Sequence, residues 1–259
     1  MLDKKVVEEY NRTGFVVVKG LVSDFIETIT SDIENFLSQG HTGEDFYYED
    51  SIDNKRSMLR RIERCLNYID ISSTDKTMEE AIASLTGYRP ALFKDKLNLK
   101  YAGSNKFAYH LDGHFLWKHG DDQKNGWEEY AGSYINAVIP LDGMHEENGC
   151  LLVAEKQDTL KIFGSYEVEA IVGKLPNSSL PYISEKDNDK VRFKPLIMEP
   201  GDVAFFDWKC IHGSHDNESS TNRKVLYLTY NNREEGCNRE KYYADKELSA
   251  SDRNNKSLN

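Results

Sequence analysis

Three places in the chain set a carboxylate two residues after an imidazole: His110/Asp112, His119/Asp121 and His145/Glu147. On an extended strand residues i and i+2 project from one face, so such a pair can offer two adjacent corners of a metal site. The spacing alone is cheap, because seven histidines and 44 acidic residues yield about one such pair by chance. Context separates the three. His145/Glu147 lies in the turn-rich segment from Asp142 to Gly149, between two apolar runs, where solvated charge is expected. His119/Asp121 falls in the polar run from Lys118 to Asn125, which reads as a mobile loop. His110/Asp112 closes the stretch from Leu97 to Tyr109, at the point where a strand leaves a sandwich.

A third ligand has to come from a distant strand, since two histidines and one carboxylate on one side of Fe(II) leave the opposite positions open for chemistry. His212 fits that role. It follows a Pro200-Gly201 turn and the apolar run from Val203 to Trp208, and Gly213 beside it allows close backbone approach. Eleven residues later Arg223 opens another strand, and a guanidinium fixed there can hold a carboxylate through two parallel hydrogen bonds. Taken singly, each has a plainer reading: a half-buried, satisfied histidine and a surface arginine.

The elements that must position these residues follow from periodicity. Residues 2–12 have an amphipathic helical spacing, and Phe15 to Val18 is a β-branched strand. Ser23 and Asp24 can cap a helix carrying Phe25, Ile29, Ile33 and Phe36, which ends near Gly40, and Met78 to Leu85 is helical up to Gly87. His41 to Thr77 has no clean period and stays unplaced. Strands are expected at 92–101, 133–141, 149–154, 191–197, 203–208 and 224–230. Helices in front and six or more short strands behind indicate a mainly β fold with flanking helices, a sandwich or jelly roll. One domain accounts for the length: a helical part over about 1–90, a β core over about 91–232, and a C-terminal helix and tail over about 233–259.

Composition narrows the partners. The net charge of −11 argues against nucleic acid, and no run of about 20 apolar residues suggests a membrane partner. Cys65, Cys150, Cys210 and Cys237 are scattered, with no CxxC pair, which fits reduced thiols and a cytoplasmic location.

In order, His110-x-Asp112, the Pro200-Gly201-Asp202-Val203 turn leading to His212-Gly213-Ser214, and Arg223 resemble the phytanoyl-CoA dioxygenase family of Fe(II)/2-oxoglutarate oxygenases. Gly14 to Leu21 looks like that family's opening strand, and Glu147-Asn148-Gly149-Cys150-Leu151 like its Asn-Gly-Cys-Leu turn. The likeness runs from about residue 8 to residue 245. It implies a double-stranded β-helix of the cupin-like jelly-roll type, with Fe(II) held by His110, Asp112 and His212. It further implies that Arg223 and Ser214 bind 2-oxoglutarate, with Asn98 in contact with it, that O₂ is the co-oxidant, and that a C–H bond of a small molecule is hydroxylated. Within the family the chain is similar to the bacterial hydroxylases of 2-aminoethylphosphonate and its N-methylated analogues. It shares Lys94-x-Lys96-x-Asn98-x-Lys100, Gly126-Trp127-Glu128-x-Tyr130-Ala131 and Tyr242-Tyr243-Ala244-Asp245-Lys246, and it departs by the intervening His114 to Asn125.

The expected substrate is therefore small and polar or zwitterionic, an aminophosphonate or a quaternary amine, with Tyr109, Trp117, Trp127 and Tyr130 arranged around its cationic end. Three alternatives stand beside this reading: a hydroxylase of a free amino acid or a natural-product intermediate, a zinc or manganese cupin-like hydrolase or isomerase at the same ligands, and a non-catalytic binding sandwich. The oligomeric state is left open.

Overall fold

The computed structural model describes residues 2–50, 57–113, 116–119, 122–163, 172–174, 181–183 and 190–256. Their strands make two antiparallel sheets and one separate hairpin. The larger sheet runs β1 (Phe15–Val18), β13 (Val203–Asp207), β8 (Tyr134–Pro140), β15 (Arg223–Asn232), β4 (Pro90–Lys100), β3 (Ser57–Glu63), β2 (Phe46–Asp50). The smaller runs β10 (Val172–Lys174), β11 (Pro181–Ile183), β5 (Phe107–His110), β14 (His212–Ser214), β9 (Leu151–Ala154), β12 (Phe193–Pro195). From β8 to β9 and from β12 through β15 the chain alternates between the sheets, which is jelly-roll wiring.

A period of two divides the large sheet into unlike faces. Outward, Leu97, Ile135, Ala137, Ile139, Phe205, Leu226 and Leu228 are buried with the isoleucines of α2 (Ile26–Ser38) and with Met78, Ile82 and Leu85 of α3 (Asp75–Thr86). Each such aliphatic side chain contributes about 1.5–3 kcal/mol by leaving water. Inward, Val138, Ala204, Phe206 and Val225 meet Leu151 and Val153 of the small sheet. Three more helices are peripheral: α1 (Lys4–Thr13), capped by the Asp3 side chain; α4 (Lys156–Phe163); and α5 (Arg239–Lys256), whose Tyr242 and Tyr243 join Phe93, Trp127, Tyr134 and Trp208 in an aromatic cluster. Among the described residues no helix is long and apolar enough to cross a membrane.

The six expected strands all form, with shifted ends. Three features differ from expectation. The unplaced stretch 41–77 carries the β2/β3 hairpin, where Ile62 is fully buried but Arg61 and Glu63 face the polar interior, so no simple alternation shows. The run from Leu97 to Tyr109 is two strands, separated by a turn closed by Ser104 N donating to Tyr101 O. Lys118 to Asn125, read as a loop, contributes to a hairpin of β6 (Leu116–His119) and β7 (Asp122–Asn125), with His119 opposite Asp122.

Candidate metal centre and anion pocket

His110 ends β5 and His212 begins β14, and these strands are neighbours in which the two histidines pair directly. Their rings lie 4.4 Å apart, centroid to centroid. Asp112 follows β5 and turns its carboxylate between them: Oδ2 is 3.5 Å from His212 Nε2 and Oδ1 is 3.9 Å from His110 Nε2. One ligand atom from each of the three residues falls within 4.8 Å of the others, the one such group among the described residues.

The surroundings fix the protonation states that a metal requires. His110 Nδ1 is 2.8 Å from Ala108 O and His212 Nδ1 is 3.1 Å from Cys210 O, so each ring donates Nδ1–H and keeps the Nε2 lone pair for the centre. Burial, reinforced by the neighbouring His212, pushes His110 down to about 3, and burial lowers His212 as well. Burial would raise Asp112, but His212, Lys96, His110 and Lys94 outweigh it and keep the carboxyl below its ordinary value. Asn136 on β8 donates Nδ2–H to Asp112 Oδ2 at 3.0 Å, and its amide cannot flip because Thr229 on β15 donates to its Oδ1 at 2.7 Å. Two neutral imidazoles and one ionised carboxylate suit a divalent first-row metal with open positions.

Further along the inner face lies a site for an anion. Arg223 is 4% exposed, and Nη2 donates to Gly149 O at 2.7 Å, whereas Nε and Nη1 are buried without a hydrogen-bond partner. Orphaned guanidinium donors cost free energy unless a ligand satisfies them. Gly149 is needed here. Its φ is +65°, and a Cβ would meet His215 O at 2.5 Å and Lys100 Cε at 2.9 Å. Lys100, 2% exposed, sits opposite Arg223 on β4 and donates to Ser214 Oγ at 2.8 Å. With the Lys100 ammonium donating to that oxygen, the Ser214 hydroxyl hydrogen can be given to an acceptor. Asn98 lies between Lys96 and Lys100 on the same face, and its Oδ1 is buried without a partner. The unmatched Arg223 donors and the Ser214 hydroxyl would suit a carboxylate, whereas the orphaned Asn98 Oδ1 is an acceptor and calls for a donor.

The residues expected around a substrate are placed unequally. Trp127 lines the cavity that holds Asp112 and His212, together with Lys94, Lys96 and Tyr227. Tyr109 alternates with His110, turns to the other face of β5, and stacks on Phe193 at 3.9 Å. Tyr130 is buried against Phe93 and Tyr242 and donates its hydroxyl to Asp245. The side chains of Trp117, His119 and Asp121 lie outside the described residues. His145 caps a short turn through Asn148. Asn136, Thr229 and Tyr227 were missed in the sequence reading, although a polar Asn136 inside the otherwise apolar, fully buried Tyr134–Pro140 strand was a readable signal.

The fold and this site define an Fe(II)- and 2-oxoglutarate-dependent dioxygenase. The model for phytanoyl-CoA dioxygenase (PhyH) matches residues 10–225, and the chain belongs to that family. It is 28% identical over 247 residues to the 2-aminoethylphosphonate dioxygenase of an uncultured bacterium, HF130_AEPn_1, covering 92% of this chain and 85% of that protein. It is 31% identical over 176 residues to the methylphosphonate hydroxylase of Gimesia maris, covering 68% of this chain and 58% of that one. Among solved structures, EctD from S. alaskensis with 2-oxoglutarate and 5-hydroxyectoine superposes with a TM-score of 0.67 at 15% identity, over 90% of this chain and 77% of that one. That last likeness concerns the fold.

Proposed function

We propose that the protein hydroxylates an unactivated C–H bond of a small phosphonate, with His110, Asp112 and His212 as the iron ligands. The single observation that carries the metal assignment is the convergence of these three groups within 4.8 Å. Bound Fe(II), with 2-oxoglutarate and O₂, supplies the oxidant, the keto acid leaving as succinate and CO₂. The chain's own residues supply position. Asn136, held by Thr229, keeps the Asp112 carboxylate in its ligating rotamer. Arg223 and Ser214 hold the far carboxylate of the keto acid and so fix its direction across the site.

The phosphonate reading rests on what the two relatives share. Their names specify 2-aminoethylphosphonate and methylphosphonate, whose common chemistry is the phosphonate group and not an amine. A cationic interior in a chain of net charge −11 supports the same reading. A reducing, cytoplasmic setting fits four unpaired cysteines. The test is succinate formation from 2-oxoglutarate under air with ferrous iron, across methylphosphonate, 2-aminoethylphosphonate, betaines and free amino acids. Stimulation by the phosphonates is expected. Stimulation only by betaines or amino acids would remove the substrate class while leaving the reaction.

A further inference from the structure

The inner face of the large sheet holds a second set of unmatched donors beside the triad, at the opposite end of β4 from Lys100 and Arg223. Pairing in register across β15, Arg223 faces Lys100, Tyr227 faces Lys96 and Thr229 faces Lys94. Four residues of strand, about 13 Å, separate Lys96 from Lys100. A keto-acid carboxylate held at Arg223 cannot also reach Lys94 and Lys96, so these two ammonium groups need another source of negative charge.

The groups at that end are donors. Lys96 Nζ lies 4.8 Å from the Tyr227 ring centroid; the Asp112 carboxylate acts on it by charge alone, with no hydrogen bond or close ion pair to Lys96 among the described residues. Trp127 is 2% exposed, and its Nε1–H is buried without a partner. Lys94 Nζ is 3.9 Å from Glu63 Oε1, but Glu63 also serves Arg61 at 3.4 Å and Lys246, so three cations share one carboxylate. The acceptors in the cavity are committed: Asp112 to the triad, and the Asn136 carbonyl to Thr229. The Trp127 ring already has Lys94 Nζ 5.9 Å from its centroid, so a protein cation takes the place expected for a ligand ammonium.

On the footing of the proposed function, we infer that Lys94, Lys96 and the Trp127 indole N–H form the subsite for the substrate's phosphonate, two ammonium groups matching a doubly ionised tetrahedral anion. Charge-assisted hydrogen bonds from both lysines hold that group, and the carbon it carries is thereby presented beside Asp112 and His212.

The test is anaerobic titration calorimetry on protein loaded with Fe(II) and 2-oxoglutarate, using methylphosphonate and, as its carboxylate counterpart, acetate. Methylphosphonate should bind at least ten times more tightly than acetate. Lys96→Met should weaken it about 100-fold, Lys94→Met and Trp127→Phe about 10-fold each, and Lys96→Arg should recover most of the loss. The dissociation constant for 2-oxoglutarate should stay within about threefold in these variants. If Lys96→Met fails to fold, Trp127→Phe and Lys94→Met carry the test. Equal binding of acetate, unchanged methylphosphonate binding in the lysine variants, or an equal loss of 2-oxoglutarate would each overturn the subsite. Wild-type protein that takes up Fe(II) and 2-oxoglutarate but gives no heat with methylphosphonate sinks this inference alone. Failure to take up either one sinks the underlying function with it.

Discussion

The two faces of β4 have similar shelter from water and opposite chemistry. Outward, Leu97 and Leu99 are buried among aliphatic neighbours, and they stabilise the fold by leaving water. Inward, Lys94, Lys96, Asn98 and Lys100 occupy the alternate positions, where burial pushes Lys96 and Lys100 down to about 7, helped by Lys94 and Arg223 respectively. The difference separates stability from function along one strand. Outward residues are matched by their own apolar surroundings, whereas the inward face carries polar groups that are only partly matched within the chain: Lys100 has Ser214 and Lys94 shares Glu63, but Asn98 Oδ1 is orphaned.

Substitutions should therefore divide by face. The largest effect is expected at the triad, where His110→Ala or His212→Ala should abolish iron-dependent succinate formation; full activity in either would remove it from the metal site. Arg223→Ala should raise the KM for 2-oxoglutarate by about 100-fold or more, as a lost charge-assisted pair of about 3 kcal/mol requires. An unchanged KM would mean that another residue anchors the keto acid. Asn136→Ala should weaken Fe(II) binding by about 10- to 100-fold, read by anaerobic metal titration, because the Asp112 carboxylate loses the donor that orients it. On the other face, Leu97→Ala should cost about 2–5 kcal/mol of stability by denaturant unfolding, with iron stoichiometry intact in the folded protein.

The smallest effect sharpens the comparison through pH. Lys96 falls from its ordinary value of 10.5 to about 7 on folding, so between those values the unfolded chain holds the extra proton and folding releases it. That lysine penalises folding fully below about pH 7, and the penalty fades as the pH rises to 10.5. Lys96→Met should accordingly raise the Tm of the metal-free protein by about 2–4 °C near pH 6, with a shrinking difference toward pH 10. A Tm gain independent of pH would show that packing, not the buried ammonium, sets the effect.

Much of this was legible in the sequence because it is local. His110-x-Asp112 at a strand end, His212 after an apolar run, and Arg223 at the start of a strand are short patterns with mechanical meaning, and the short apolar runs of β8, β13 and β15, bounded by turn residues, marked the strands of the large sheet. What stayed hidden depends on partners distant in the chain. Asn136 reaches the site only because β8 lies beside β15, and the β2/β3 hairpin is masked because its inward side chains face a polar interior. The aromatic reading of the substrate pocket rested on residue type. Tyr109 alternates to the wrong face for the triad, and Tyr130 is spent on Asp245, neither of which composition reveals.

The most direct measurement is anaerobic addition of Fe(II) and then 2-oxoglutarate to wild-type, Asp112→Ala and Arg223→Ala protein, followed by visible absorption and metal analysis. One iron per chain is expected in the wild type, with a charge-transfer band that appears only after the keto acid is added. Asp112→Ala should retain no stoichiometric iron, and Arg223→Ala should keep the iron but need far more 2-oxoglutarate to develop the band. Full iron occupancy and an unaltered band in Asp112→Ala would contradict the account.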